Sequence, residues 1–122
     1  MNHFESKEDY LERILMISEK REYVRAIDIV NSMGFSKPSV SIALKKLKAA
    51  GYINISEHGH IVLTPDGYEI AANVYEKHKT LTSLLMILGV DEELAREDAC
   101  KIEHDISDET FDKIKKFVNK PK

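Results

Sequence analysis

Apolar residues recur at helical spacing along most of the chain, and a single short stretch breaks that period. Tyr10, Leu11, Ile14, Leu15 and Ile17 make one stripe. It predicts a helix opening at a Ser6–Asp9 capping box and running to about residue 20, where Glu19-Lys20-Arg21-Glu22 forms a charged loop. A short second helix is expected from Arg25 or Ala26, burying Ile27, Ile29, Val30 and Met33, with Gly34 as its left-handed stop. Ser36 then caps a third helix with Pro38 in its first turn, where a missing N–H costs little. Val40, Leu44 and Leu47 mark its inner face, and Gly51 is the expected C-cap.

Two short helices joined at Gly34-Phe35-Ser36 have the layout of a helix-turn-helix. The second of them offers Lys37, Ser39, Ser41, Ile42, Lys45, Lys46 and Lys48 to solvent. The period then drops to two: Tyr52–Ser56 and His60–Thr64 alternate around a Glu57-His58-Gly59 turn, which predicts a β-hairpin. A hairpin directly after a helix-turn-helix makes a winged helix. Thr64-Pro65 next starts a long helix through Ile70, Val74, His78, Leu81, Leu84, Leu85 and Leu88 to a stop at Gly89. A helix of that length has more apolar surface than so small a domain can cover. Asp91 caps a fifth helix to about Asp105, and Ser107 a sixth to about Val118. The fold class is therefore mostly α with a small β-hairpin.

Composition first points away from nucleic acid. The 122 residues carry 18 Lys+Arg against 21 Asp+Glu, a net charge of −3. The average hides an asymmetry, because residues 1–64 hold nine basic and eight acidic residues and residues 65–122 hold nine and thirteen. From Ile29 to Ser56 there is no acid at all, while Lys37, Lys45, Lys46 and Lys48 fall there. Screening confines a charged face to about 10 Å, so a local basic surface can meet phosphates whatever the total charge. The alternative is an ordinary solvated helix face. With only short apolar runs there is no transmembrane helix, and Met1–Ser6 offers no secretory segment. A lone Cys100 cannot build disulfides, so a cytoplasmic setting is expected.

Six residues could carry chemistry: Asp9, Glu12, His78, Cys100, Glu103 and His104. Asp9 and Glu12 are one turn apart on the first helix. Cys100, Glu103 and His104 have the spacing that puts all three on one face of the fifth. Carboxylate, imidazole and thiolate together suit a first-row transition metal. Each alone has a plainer reading: capping charges for the acids, a half-exposed histidine, a small buried hydrophobe for the cysteine.

Several segments carry a resemblance. Ser6–Ile14, Ser36–Ser41, Leu63–Gly67, Lys77-His78, Ile87–Asp91 and Cys100–His104 resemble, in register, the diphtheria toxin repressor family of metal-dependent transcriptional regulators. Its short manganese transport regulator branch is the nearer likeness. The resemblance implies a winged-helix DNA-binding domain at 1–72 and a helical metal-binding and dimerisation domain at 73–122, without the SH3-like domain of the iron type. It implies that Asp9, Glu12, His78, Glu103 and His104 stand at metal-ligand positions of the manganese type. Position 100 departs, since a cysteine there is the iron-type residue, whereas Asp9 replaces the iron-type methionine. The iron type's ancillary site is incomplete, with Thr82 and Arg96 at two of its positions.

The implied cofactor is a divalent transition metal, Fe²⁺ or Mn²⁺, with Co²⁺ or Zn²⁺ possible in vitro. The implied partners are a second copy of the chain, as a homodimer, and a double-stranded DNA operator with two-fold symmetry; no membrane and no small-molecule substrate are expected. Lys37, Lys45, Lys46 and Lys48 are cast as phosphate contacts. Ser36, Pro38, Ser39 and Ile42 are cast near the bases, Ser41 as a further DNA contact, and Arg25 near the backbone and minor groove. His58 and His60 either touch DNA or are solvated turn residues. Metal binding would fix the spacing of the recognition helices and allow repression of metal-homeostasis genes. A metalloenzyme is disfavoured because no His-Glu-x-x-His, Gly-x-Ser-x-Gly or phosphate-binding loop occurs. The stronger alternative is a winged-helix regulator without metal control that answers to thiol chemistry at Cys100.

Overall fold

A computed structural model describes residues 7–120 of the chain. In order they form α1 (Lys7–Ser18), α2 (Ala26–Met33), α3 (Lys37–Ala49), β1 (Ile53–Ile55), β2 (Ile61–Leu63), α4 (Pro65–Ile87), α5 (Glu92–Ile102) and α6 (Asp108–Val118). Two compact units divide between Asn73 and Val74, within α4. Among the described residues no helix is long and apolar enough to cross a membrane.

The first unit is a winged helix-turn-helix. Tyr10, Leu11 and Ile14 of α1, Ile29 of α2, and Val40, Leu44 and Leu47 of α3 share one core with Val24, Ile53, Ile61 and Ala71. Helices α1 and α3 thus bury the stripes that their periods predict. Ile27 is the correction: it is 44% exposed while Ile29 is fully buried. At about 100° per residue the two lie on nearly opposite sides of α2, so both cannot face one core. Gly34 adopts φ +74° and its N–H bonds to Val30 O at 2.9 Å, as a left-handed stop should. At the end of α3 the cap is Ala50, with Gly51 following at φ +86°. Helix α1 ends at Ser18, whose hydroxyl donates to Leu15 O at 2.6 Å. The Ser6 half of the expected capping box lies outside the described residues.

The wing pairs β1 with β2 in antiparallel register, Ile53 with Leu63 and Ile55 with Ile61. A further isolated bridge joins Val24 to Ile61, through a 2.7 Å bond from Ile61 N–H to Val24 O. A latch at Thr64 closes the exit from the wing. Its N–H donates to Tyr52 O at 3.0 Å, its hydroxyl donates to Gly51 O at 2.7 Å, and the Thr64 hydroxyl oxygen accepts Gly67 N–H at 3.1 Å. A Cβ on Gly67 would lie 2.0 Å from Tyr52 O, so only glycine fits the start of α4 here.

The second unit comprises the rest of α4 with α5 and α6. Val74, Leu81, Ala95, Ala99 and Phe111 are its buried apolar residues. Lys77 Nζ lies 3.3 Å from Asp108 Oδ1 and over the Phe111 ring, joining α4 to the start of α6. Further along, Lys115 Nζ meets Glu76 Oε2 at 2.8 Å. That hydrogen bond and its charge attraction raise the Lys115 pKa above the ordinary lysine value. Met86, Ile87 and Leu88 at the end of α4, Leu94 on α5 and Phe117 on α6 are exposed.

Candidate functional site

Helix α3 sorts its residues by face. Ser36 Oγ accepts Ser39 N–H at 3.2 Å, which fixes the first turn around Pro38. Val40, Leu44 and Leu47 turn inward, leaving Ser36, Lys37, Pro38, Ser39, Ser41, Ile42, Lys45, Lys46 and Lys48 all exposed. Ile42, 56% exposed, is the apolar member of this cationic face. Such a helix can place lysines on phosphates and short side chains on base edges.

Arg25 stands just ahead of α2 in extended conformation, with its N–H donating to Asp28 Oδ2 at 2.9 Å. Its Nη2 is 3.0 Å from His60 Nε2 on the wing, and the His60 ring stacks on Tyr23 with centroids 4.1 Å apart. The two wing histidines therefore differ. His58 is exposed beside Glu57, whereas His60 is half-buried and engaged.

The candidate metal ligands fall in both units. In the first, Asp9 and Glu12 lie one turn apart on α1 and each is only 6% exposed. In the second, Glu103 is 1% exposed, with His78 Nδ1 at 2.8 Å from one carboxylate oxygen and His104 Nε2 at 3.5 Å from the other. Cys100, half-buried, precedes Glu103 by one turn. Carboxylates are seldom buried without a partner, because desolvating the charge costs several kcal/mol. The donors present, two imidazole nitrogens, a thiol sulfur and carboxylate oxygens, fit a divalent first-row cation.

The geometry of α5 corrects one expectation. The helix ends at Ile102 and not near Asp105, so Glu103 is its C-cap and His104 lies in the following turn. Glu103 N–H still bonds Ala99 O, four residues back, but Asp105 N–H bonds Ile102 O, three back. The hydrogen-bond pattern thus tightens just past the end of the helix. His104 nonetheless stays beside Glu103.

Two features escaped the sequence reading. One is the Tyr23–His60–Arg25 contact, for which proximity in sequence gives no sign. The other is the Gly67 latch, whose local signal is a glycine in the first turn after Thr64-Pro65, where a helix former would otherwise be expected.

Comparison with known proteins follows the same division. Residues 3–61 match the family model of the iron dependent repressor N-terminal DNA binding domain, and residues 64–122 that of the iron dependent repressor metal binding and dimerisation domain. An uncharacterized HTH-type transcriptional regulator of Methanocaldococcus jannaschii is 39% identical over 118 residues, covering 95% of this chain and 94% of the relative. Transcriptional regulator MntR of Salmonella typhimurium is 34% identical over 111 residues, covering 91% of this chain and 71% of the relative. The solved manganese regulator SloR is similar in structure, with a TM-score of 0.83 at 33% identity. That match covers 96% of this chain and 55% of the SloR chain, so the present chain spans just over half of that protein. With the winged helix and these matches in agreement, the chain belongs to the iron dependent repressor family of metal-dependent transcriptional regulators.

Proposed function

We propose that this chain is a metal-dependent DNA-binding repressor that senses Fe²⁺ or Mn²⁺ and controls metal-homeostasis genes in the cytoplasm. It acts as a regulator and not as an enzyme. The observation that carries the reading is Glu103: a carboxylate 1% exposed, flanked by His78 and His104. Asp9, Glu12, His78, Cys100, Glu103 and His104 are the proposed ligands. Residues 1–72 serve DNA, and residues 73–122 serve metal binding and dimerisation.

A bound divalent cation supplies the positive charge against which these acids can be held together. The chain's own residues do the rest. Glu103 keeps both imidazoles within reach, and Asp9 and Glu12 bring the DNA-binding part under the control of the same ligand set. The protein without metal meets the mutual repulsion of those carboxylates, so the DNA-competent arrangement is favoured only to the extent that metal binds it more tightly. Cys100 weights the set toward Fe²⁺, and Co²⁺ or Zn²⁺ in vitro, while the carboxylates suit Mn²⁺. The exposed Met86, Ile87, Leu88 and Phe117 support a homodimer, whose two copies of α3 would read an operator with two-fold symmetry. Arg25, Ser36, Lys37, Pro38, Ser39, Ser41, Ile42, Lys45 and Lys46 are the proposed DNA contacts.

The test is duplex DNA binding by the full chain with and without Mn²⁺, Fe²⁺, Co²⁺ and Zn²⁺, in the wild type and in His104→Ala. Binding that rises with metal in the wild type and not in the variant is expected; metal-independent binding by both sinks the reading. Cys100→Glu should strengthen the Mn²⁺ response relative to Zn²⁺.

A further inference from the structure

The wing and the segment ahead of α2 meet at one imidazole. His60 is held by its own backbone, since its N–H donates to Ser56 Oγ at 3.1 Å and its carbonyl accepts Ser56 N–H at 2.9 Å. The next residue, Ile61, is bonded to Val24 O, so the chain on either side of the ring is fixed against Tyr23-Val24-Arg25. The ring lies flat on Tyr23, with an interplanar angle of 14°, and its Nε2 meets Arg25 Nη2 at 3.0 Å. A guanidinium has donors only. A hydrogen bond across this contact therefore needs His60 Nε2 as the acceptor, the role it takes in the Nδ1–H tautomer. A neutral acceptor fixes the direction of the guanidinium without cancelling its charge, as a carboxylate would. Arg21, by contrast, lies 3.7 Å from the Asp28 carboxylate.

We propose that His60 is a positioning residue for DNA, orienting the Arg25 guanidinium so that it meets a backbone phosphate while the wing docks. This rests on the DNA-binding reading above. Phosphate contacts are independent of sequence, so a duplex of arbitrary fixed sequence is a sufficient probe at low salt. The experiment measures binding of the full chain, saturated with Mn²⁺, to such a duplex across a salt series. The variants are Arg25→Ala, His60→Phe, His60→Gln and the double variant Arg25→Ala/His60→Phe.

Arg25→Ala should weaken binding about tenfold and lower the slope of log affinity against log salt by about 0.9. His60→Phe keeps a ring on Tyr23 but has no acceptor, and should weaken binding at least about threefold. His60→Gln offers an amide oxygen to Arg25 and should stay within about twofold of wild type. In the double variant His60→Phe should add nothing further. Wild-type binding by His60→Phe, equal losses in the Phe and Gln variants, or a His60→Phe loss that persists without Arg25 would each overturn the proposal alone. No duplex binding by the metal-saturated wild type overturns the DNA-binding reading and this proposal with it.

Discussion

Helix α3 in the first unit keeps Lys37, Lys45, Lys46 and Lys48 in solvent, whereas the second unit takes the Glu103 carboxylate almost wholly out of it. Each placement makes a different kind of device. Exposed lysines retain their hydration and act through counterion release, so their effect is graded and fades with salt. A buried carboxylate has lost its water and depends on the few groups beside it, so changing one of those neighbours matters more to it than bulk salt does. The chain's small net charge of −3 conceals both.

Glu103→Gln gives the largest effect and strikes the buried side of this contrast. Apparent Mn²⁺ affinity, measured by calorimetric titration, should fall by about 100-fold or more. Metal-free thermal stability should not fall in step, because the substitution also removes a buried charge. A variant that titrates like wild type would show that burial of this acid has nothing to do with metal. Gly67→Ala, next in size, breaks the frame that carries the exposed side. The methyl must displace the Tyr52 carbonyl, so chemical denaturation should report a loss of about 3 kcal/mol.

Lys45→Ala with Lys46→Ala sharpens the contrast by changing exposed charge alone. The salt slope of duplex binding should fall by about 1.8, while the metal titration stays at wild type. A changed metal titration would mean that the two kinds of charge are not separable. Lys115→Ala is the smallest. Lys115 is half-exposed and its pKa is raised by Glu76, so the pair favours the folded state below the ordinary lysine pKa and loses that contribution as pH rises through the raised value. The thermal midpoints of variant and wild type should differ slightly at neutral pH and low salt, and converge in strong alkali or high salt.

Much of the fold was legible because caps and turns are local chemistry. Ser36 with Pro38, Gly34, Asp91 and Ser107 announce helix ends within a few residues of themselves, and the hairpin shows as a change of period. Ile27 misled because an apolar residue can lie on either side of a short helix, and only the surrounding core decides which. The last turn of α5 misled because nothing in Glu103-His104-Asp105 marks the shift to a tighter hydrogen-bond pattern. The buried cluster was partly legible: the spacing of Cys100, Glu103 and His104 drew attention, but spacing could not say that His78 lies 2.8 Å from Glu103. The reason for Gly67 and the contacts of His60 were illegible in the same way, since they depend on Tyr52 and on Tyr23 and Arg25, all distant in sequence.

The bridge from Val24 to Ile61 has a kinetic consequence. Two strands of three residues form a ribbon that is marginal alone. Val24 adds a rung from the segment leading into α2, and that rung is the 2.7 Å bond of the Ile61 amide. Deuterium can reach that amide only when wing and segment part. Ile61 therefore keeps a single exchange clock for both, and any ligand that stills the wing should slow that clock in the approach to α2 as well.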